Sequence, residues 1–121
     1  GTGTGIELVK IQTLTSVNES ASNGQPSAYI LEPNFPNPFN PSTTIRYHLP
    51  QMSHVELSIF NVHGQCLCTL VDAFEPRGTY SVQWNGQINS GRAPSGVYFV
   101  RLHASGNQIS QSQVQKMILL K

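Results

Sequence analysis

From Tyr29 onward the apolar and polar side chains alternate with a period of two, the spacing that sends successive residues to opposite faces of a β-strand. Residues 43–49 set Thr43, Ile45, Tyr47 and Leu49 against Thr44, Arg46 and His48. Residues 55–61 place Val55, Leu57 and Ile59 on one face, with Glu56 and Ser58 opposite. The Asn61 to Gln65 segment around Gly64 predicts a hairpin turn. A third strand follows at 65–71; the unequal spacing of Leu67, Leu70 and Val71 predicts a bulge or a twist there. Residues 75–78 are a turn, and 79–84 are a strand with Tyr80, Val82 and Trp84 facing one way. A Gly- and Asn-rich polar loop over 85–96 leads to two last strands, 97–104 and 114–121, joined through Ser105 to Asn107.

About seven short strands, with no helical period anywhere, predict an all-β, immunoglobulin-like antiparallel sandwich over residues 31–121. A domain of this size buries only about 60–65% of its chain surface, which predicts moderate stability. Its expected centre is Trp84, Tyr80, Tyr98, Phe60 and Leu57. Residues 1–30 are an N-terminal arm and linker. Within them 5–15 have the composition of one strand, and 16–28 carry almost no apolar side chains and read as a flexible linker. A β-like arm on a flexible tether permits strand exchange between copies and hence a homodimer.

Composition then narrows the chemistry. The 121 residues support one domain plus an arm, and 11% charged residues with a net charge of +1 offer no nucleic-acid surface. No apolar run approaches the roughly 18 residues that span a membrane. The sequence begins at Gly1 rather than Met and is read as part of a longer protein whose N-terminal portion lies elsewhere. Cys66 and Cys68, two apart on a strand, have near-parallel Cβ vectors about 6.5–7 Å apart, poor geometry for a disulfide; they are expected as small core or semi-core thiols. His48, His54, His63 and His103 show no spacing that would complete a zinc site. The one aspartate, Asp72, and the scattered glutamates make no catalytic pair, and no nucleophile elbow, metalloprotease helix or phosphate loop occurs. No catalytic residue, cofactor or metal is assigned.

The stretch Asn34-Phe-Pro-Asn-Pro-Phe-Asn-Pro41 carries the most information. Pro36, Pro38 and Pro41 each fix φ and remove a donor, which drives Phe35, Asn37 and Asn40 toward extended backbone. Phe35 and Phe39 are expected to be buried, making the segment a stiff clasp across one edge of a small core. A docking motif for an aromatic groove is the sharper alternative. Trp84 shares strand parity with Tyr80 and Val82, so core burial is expected for it rather than carbohydrate stacking.

Asn34 to Pro50, then residues 55–72, 78–102 and the closing Gln-Lys-Met-Ile-Leu-Leu-Lys resemble, in that order, the type A C-terminal sorting domain of type IX secretion cargo. The immunoglobulin-like domain of flagellar hook-capping proteins shares the pattern. The resemblance covers residues 31–121. It implies a non-catalytic address at the end of a larger secreted or surface protein of Bacteroidota, whose N-terminal cargo domains it accompanies through the periplasm to an outer-membrane translocon. A sortase-like peptidase then removes the domain or attaches the cargo to the surface in many such systems. The positions that match the recognition blocks are Gly96, Val97 and Tyr98, and Lys116, Leu119, Leu120 and Lys121; the architectural block is Asn34, Pro36, Asn37, Pro38, Phe39, Asn40, Pro41 and Trp84. The chain departs from the pattern after the tryptophan, where Asn85 and Ile88 stand in place of the usual acidic or amide residues; a calcium site there is not expected. Two other functions stay open at this point: a structural or adhesive module like the hook-cap domain, and a carbohydrate-binding accessory domain.

Overall fold

A computed structural model describes residues 26–121. The strand expected at 5–15, and any exchange of it between copies, lie outside the described residues. The elements in chain order are β1 (Ile30–Leu31), β2 (Thr43–Leu49), β3 (Ser53–Phe60), β4 (Cys66–Glu75), β5 (Gly78–Trp84), β6 (Gln87–Ile88), β7 (Gly91–Arg92), β8 (Gly96–Gly106) and β9 (Ile109–Leu119). They form a three-stranded sheet, β1-β2-β5, a four-stranded sheet, β4-β3-β8-β9, and a two-stranded ribbon, β6-β7. All pairings between these strands are antiparallel. The two larger sheets make the immunoglobulin-like sandwich that the alternation predicts.

The period-two pattern decides which side chains meet between the sheets. Thr43, Ile45, Tyr47 and Leu49 of β2 and Val55, Leu57 and Ile59 of β3 are all buried, as are Val100, Leu102 and Ala104 of β8. Of the expected centre, Trp84, Tyr98 and Leu57 are buried, whereas Tyr80 packs against the core partly buried and Phe60 stands half-buried on the outer face. Tyr47 crosses from one sheet to the other: its ring stacks on Tyr80 at 5.4 Å and its hydroxyl donates to Glu75 Oε1 at 2.5 Å.

The hairpin around Gly64 forms as predicted. Gly64 has φ of 80°, a left-handed conformation that glycine adopts without a Cβ penalty, and the Asn61 N–H donates to Gln65 O. The predicted irregularity of the third strand is a pair of register shifts between β3 and β4, at Leu57/Ser58 and Ile59/Phe60. The second shift separates the two cysteines: Cys68 is buried but Cys66 is exposed, so only one of them is a core thiol. An extra residue in one strand cancels the rule that positions i and i+2 share a face.

Two strands run longer than the pattern suggests. β4 continues to Glu75, and β9 begins at Ile109, so β8 and β9 form one unbroken hairpin from Gly96↔Leu119 to Gly106↔Ile109. The polar residues 110–113 escape a hydrophobicity reading because successive residues of β9 there, Ser110, Gln111 and Ser112, are exposed on both faces. The loop 85–96 likewise holds the small β6-β7 ribbon.

Candidate functional site

The proline-rich segment and the end of β9 are far apart in sequence and adjacent in space. Asn34 anchors the entry: it is buried, and its amide donates to Thr43 Oγ1 at 3.0 Å and Pro36 O at 3.3 Å. The peptide bonds preceding Pro36, Pro38 and Pro41 are cis. Phe35 exchanges both backbone hydrogen bonds with Thr44, at 3.0 and 2.9 Å. Residues paired directly opposite share a face, and Thr44 lies on the outer face of β2, so the Phe35 ring points into solvent and is 79% exposed. The expectation that Phe35 is buried is thereby overturned. Phe39 meets the other half of the expectation, at 2% exposed.

Phe39 pairs in parallel with Leu119. Its N–H donates to Ile118 O at 2.9 Å, and its carbonyl accepts from Leu120 N–H at 3.0 Å. Two residues earlier, the Asn37 side chain imitates a paired peptide. Its Oδ1 accepts from Ile118 N–H at 2.9 Å and its Nδ2 donates to Lys116 O at 3.2 Å. The clasp therefore supplies the partner that the outer edge of β9 would lack, using one side-chain amide and one peptide unit. Inside, the Phe39 ring lies 5.5 Å from Trp84, which meets Tyr98 edge-on at 5.6 Å. Burial holds the Tyr98 phenol above its ordinary value, and its hydroxyl donates to Pro94 O at 2.6 Å. Trp84 is 1% exposed and its indole N–H is taken by Gln87 O at 2.9 Å, so no indole face is presented to a sugar.

The residues expected to be recognised divide by burial. Tyr98 and Leu119 are core, whereas Val97, Lys116, Leu120 and Lys121 expose their side chains and Gly96 pairs with Leu119 at the rim. The Lys121 N–H donates to Ser95 Oγ, which fixes the last residue against the loop before β8. A concavity of about 210 Å³ brings three sequence blocks together: Asn40 and Pro41 of the clasp, Asn85 and Gly86 after the tryptophan, and Leu119 and Lys121 at the end, with Arg92 of β7 in the same lining. Arg92 is steered there by its bond to Asn85 O at 3.3 Å. Neither Lys116, Lys121 nor Arg92 has a carboxylate partner among the described residues. Sequence reasoning missed the roles of Arg92 and Ser95, and nothing in their local pattern distinguishes them from any loop residue. The two-bond role of Asn37 was equally hidden, since an Asn before Pro signals only a turn.

Asn85, one of the departures from the family pattern, works as a turn former: its Oδ1 accepts from Gln87 N–H at 3.1 Å. Among the described residues no group of three or more His, Cys, Asp or Glu side chains is placed to hold a metal ion.

Fold and site together define an immunoglobulin-like module whose final strand is held by an upstream proline clasp. The sequence model of the secretion system C-terminal sorting domain matches residues 34–119, well over half of the chain, and the chain belongs to that family. The domain is thus a type IX sorting signal, an address for export to the cell surface or beyond. Among solved structures it is similar to the crystal structure of dimeric latent PorU from Porphyromonas gingivalis, with a TM-score of 0.60 and 20% identity over 76% of this chain. It spans 9% of that protein, and at this identity the likeness is one of fold. No curated protein matches the chain.

Proposed function

We propose that this domain is the non-catalytic C-terminal address of a larger cargo, carried through the periplasm and read by the type IX translocon at the rim where the clasp meets the end of β9. The observation that supports this reading is the convergence of the separate signature blocks on one concavity: Asn40 and Pro41, Asn85 and Gly86, Leu119 and Lys121. The packing of Phe39 on Trp84 and its pairing with Leu119 bring these blocks together, and the polar groups left at their rim are available to a receptor. Arg92 and Lys121, two cations without a carboxylate partner among the described residues, border it. They suit a carboxylate-bearing receptor loop or the backbone acceptors of one. Cleavage by a sortase-like peptidase, with release of the cargo or its attachment to the surface, would follow this step.

The test is a reporter fused ahead of residues 1–121 in hosts with and without a working type IX apparatus. Reporter at the surface or in the medium of the first host, and in the periplasm of the second, is expected; equal distribution would overturn the proposal. Removing residues 116–121 is a poor probe, because Met117 and Leu119 are buried and their loss unfolds the sandwich. Replacing Leu120 and Lys121, both exposed, with serine and alanine leaves the core whole. Export of that variant at the parental level would remove the chain end from the recognised surface.

A further inference from the structure

The outer face of the four-stranded sheet carries a hollow of about 320 Å³ whose apolar walls are Phe60, Val62, Phe99 and Val114, with Arg101 among them. The turn residues Asn61 and Gly64 complete the lining. The Asn61 amide is spent inside that turn. Its Oδ1 accepts from the His63 and Gln65 N–H groups at 2.9 and 3.0 Å, and its Nδ2 donates to Gln65 Oε1 at 2.7 Å. Arg101 is therefore the polar side chain that the hollow leaves unspent.

The Arg101 guanidinium lies over the Phe60 ring, 4.7 Å from its centroid, a stacking that occupies the flat face of the ion and not its N–H edge. Arg101 Nε is buried with no acceptor in bonding distance, and no carboxylate pairs with the guanidinium among the described residues. The register accounts for this. Ser58 of β3 and Val114 of β9 stand opposite Arg101, whereas Glu56, the next outward residue of β3, stands opposite His103, a step farther from the hollow. On the other side the face gains a second cation, Lys116, opposite Phe99. A guanidinium cannot shed its charge by losing a proton, and a buried N–H without an acceptor costs free energy until one arrives.

The charge and the walls together define what fits. The planar N–H fork matches the two oxygens of a carboxylate. The volume, at the lower end of small-molecule sites, matches a body about the size of one ring. Sulfate or phosphate would have to shed water against two phenylalanine rings, and a neutral apolar molecule would leave Nε unpaired.

We infer that the hollow beside Arg101 is a binding site for a small monocarboxylic acid with a compact apolar body. The carboxylate sits on the Arg101 guanidinium and the body packs against Phe60, Phe99 and Val114. The hollow shares no residue with the concavity between the clasp and the chain end, so the inference stands whether or not that rim is the export address.

The test uses the full chain, isotope-labelled, titrated with 3-phenylpropionate, with its neutral amide and with acetate. Saturable shifts of the Arg101 Nε–H and of the Phe99 and Val114 signals are expected with the acid. The amide, which lacks the charge, and acetate, which lacks the body, should each bind at least about tenfold more weakly. Arg101→Met keeps an unbranched side chain on the Phe60 ring; it should weaken the acid by a similar factor, leave the response to the amide unchanged and still melt cooperatively. Should that variant fail to fold, the acid and amide on the parent chain decide alone. No saturable shift up to the solubility limit of the acid, or equal binding of acid and amide, overturns the inference. So do shifts that persist in Arg101→Met, which would mean an adventitious anion on surface lysines. Contacts from residues 1–25 to Phe99 or Val114 in the free chain would give the hollow to the chain's own arm and overturn it as well.

Discussion

Phe39 lies in parallel register beside Leu119, its N–H on Ile118 O and its carbonyl on Leu120 N–H. This one peptide unit joins the start of the signature to its end. Its side chain fills the core against Trp84 at the same point, so the backbone pairing and the packing reinforce each other. The four-residue offset from Phe35 makes the contrast testable.

Phe39→Ala should cost about 3–5 kcal/mol, because it empties a fully buried ring site. Phe35→Ala should stay within about 0.5 kcal/mol, because its ring is in solvent. Urea unfolding followed by Trp84 fluorescence measures both. Similar losses for the two would mean that the clasp is not seated as described.

Asn37→Ala removes an acceptor from Ile118 N–H and a donor from Lys116 O. Both bonds are exposed, so water replaces them and the cost is about 1 kcal/mol. The local effect is larger than the global one: the Ile118 amide should exchange markedly faster while the amides of β3 do not change. Hydrogen exchange resolved by residue reads the difference.

Gly106 closes the β8–β9 hairpin against the opposite rim. A Cβ there would stand 2.5 Å from Gln51 Nε2, 3.0 Å from Met52 O and 3.1 Å from the Tyr29 hydroxyl. The Gln51 amide can move but the Met52 carbonyl is main chain, so Gly106→Ala should destabilise by about 1–3 kcal/mol through overpacking. Thermal melting of the variant against the parent checks it.

Tyr47 predicts an alkaline limit. Burial first, then the hydrogen bond to Glu75 and the Glu75 charge, hold its phenol well above the ordinary 10.0; burial also raises Tyr98. A group whose folded pKa is raised contributes its full stabilisation below the unfolded value and loses it as pH climbs toward the folded one. Stability should therefore be flat up to about pH 10 and decline above it. Tyr47→Phe should lower stability at neutral pH by about 1–2 kcal/mol, since Glu75 loses its donor, and should flatten the alkaline decline. Denaturant titrations at neutral and alkaline pH give both slopes; an unchanged slope in the variant would assign the decline to other groups.

Much of the sandwich was legible from alternation alone. The inward residues of β2, β3 and β5, the hairpin at Gly64 and the irregularity of β4 all follow from local periodicity and turn chemistry, because strand parity sorts side chains before any tertiary contact exists. The same logic placed Trp84 in the core. It failed where a residue's face depends on a distant partner. Phe35 and Phe39 look equivalent in the chain, yet one pairs with the solvent-facing Thr44 and the other with the core-facing Leu119. Cys66 and Cys68 look like one face until the bulge against Phe60 separates them. The extent of β9 was hidden by the polar run of residues 110–113, whose place in the sheet rests on backbone pairing with β8 rather than on hydrophobicity. The sequence by itself determined the all-β class and the family signature, since both are written in local pattern. Only the tertiary structure decided that the clasp pairs with the end of the last strand, because edge hydrogen bonds join residues some eighty positions apart and no local rule counts them.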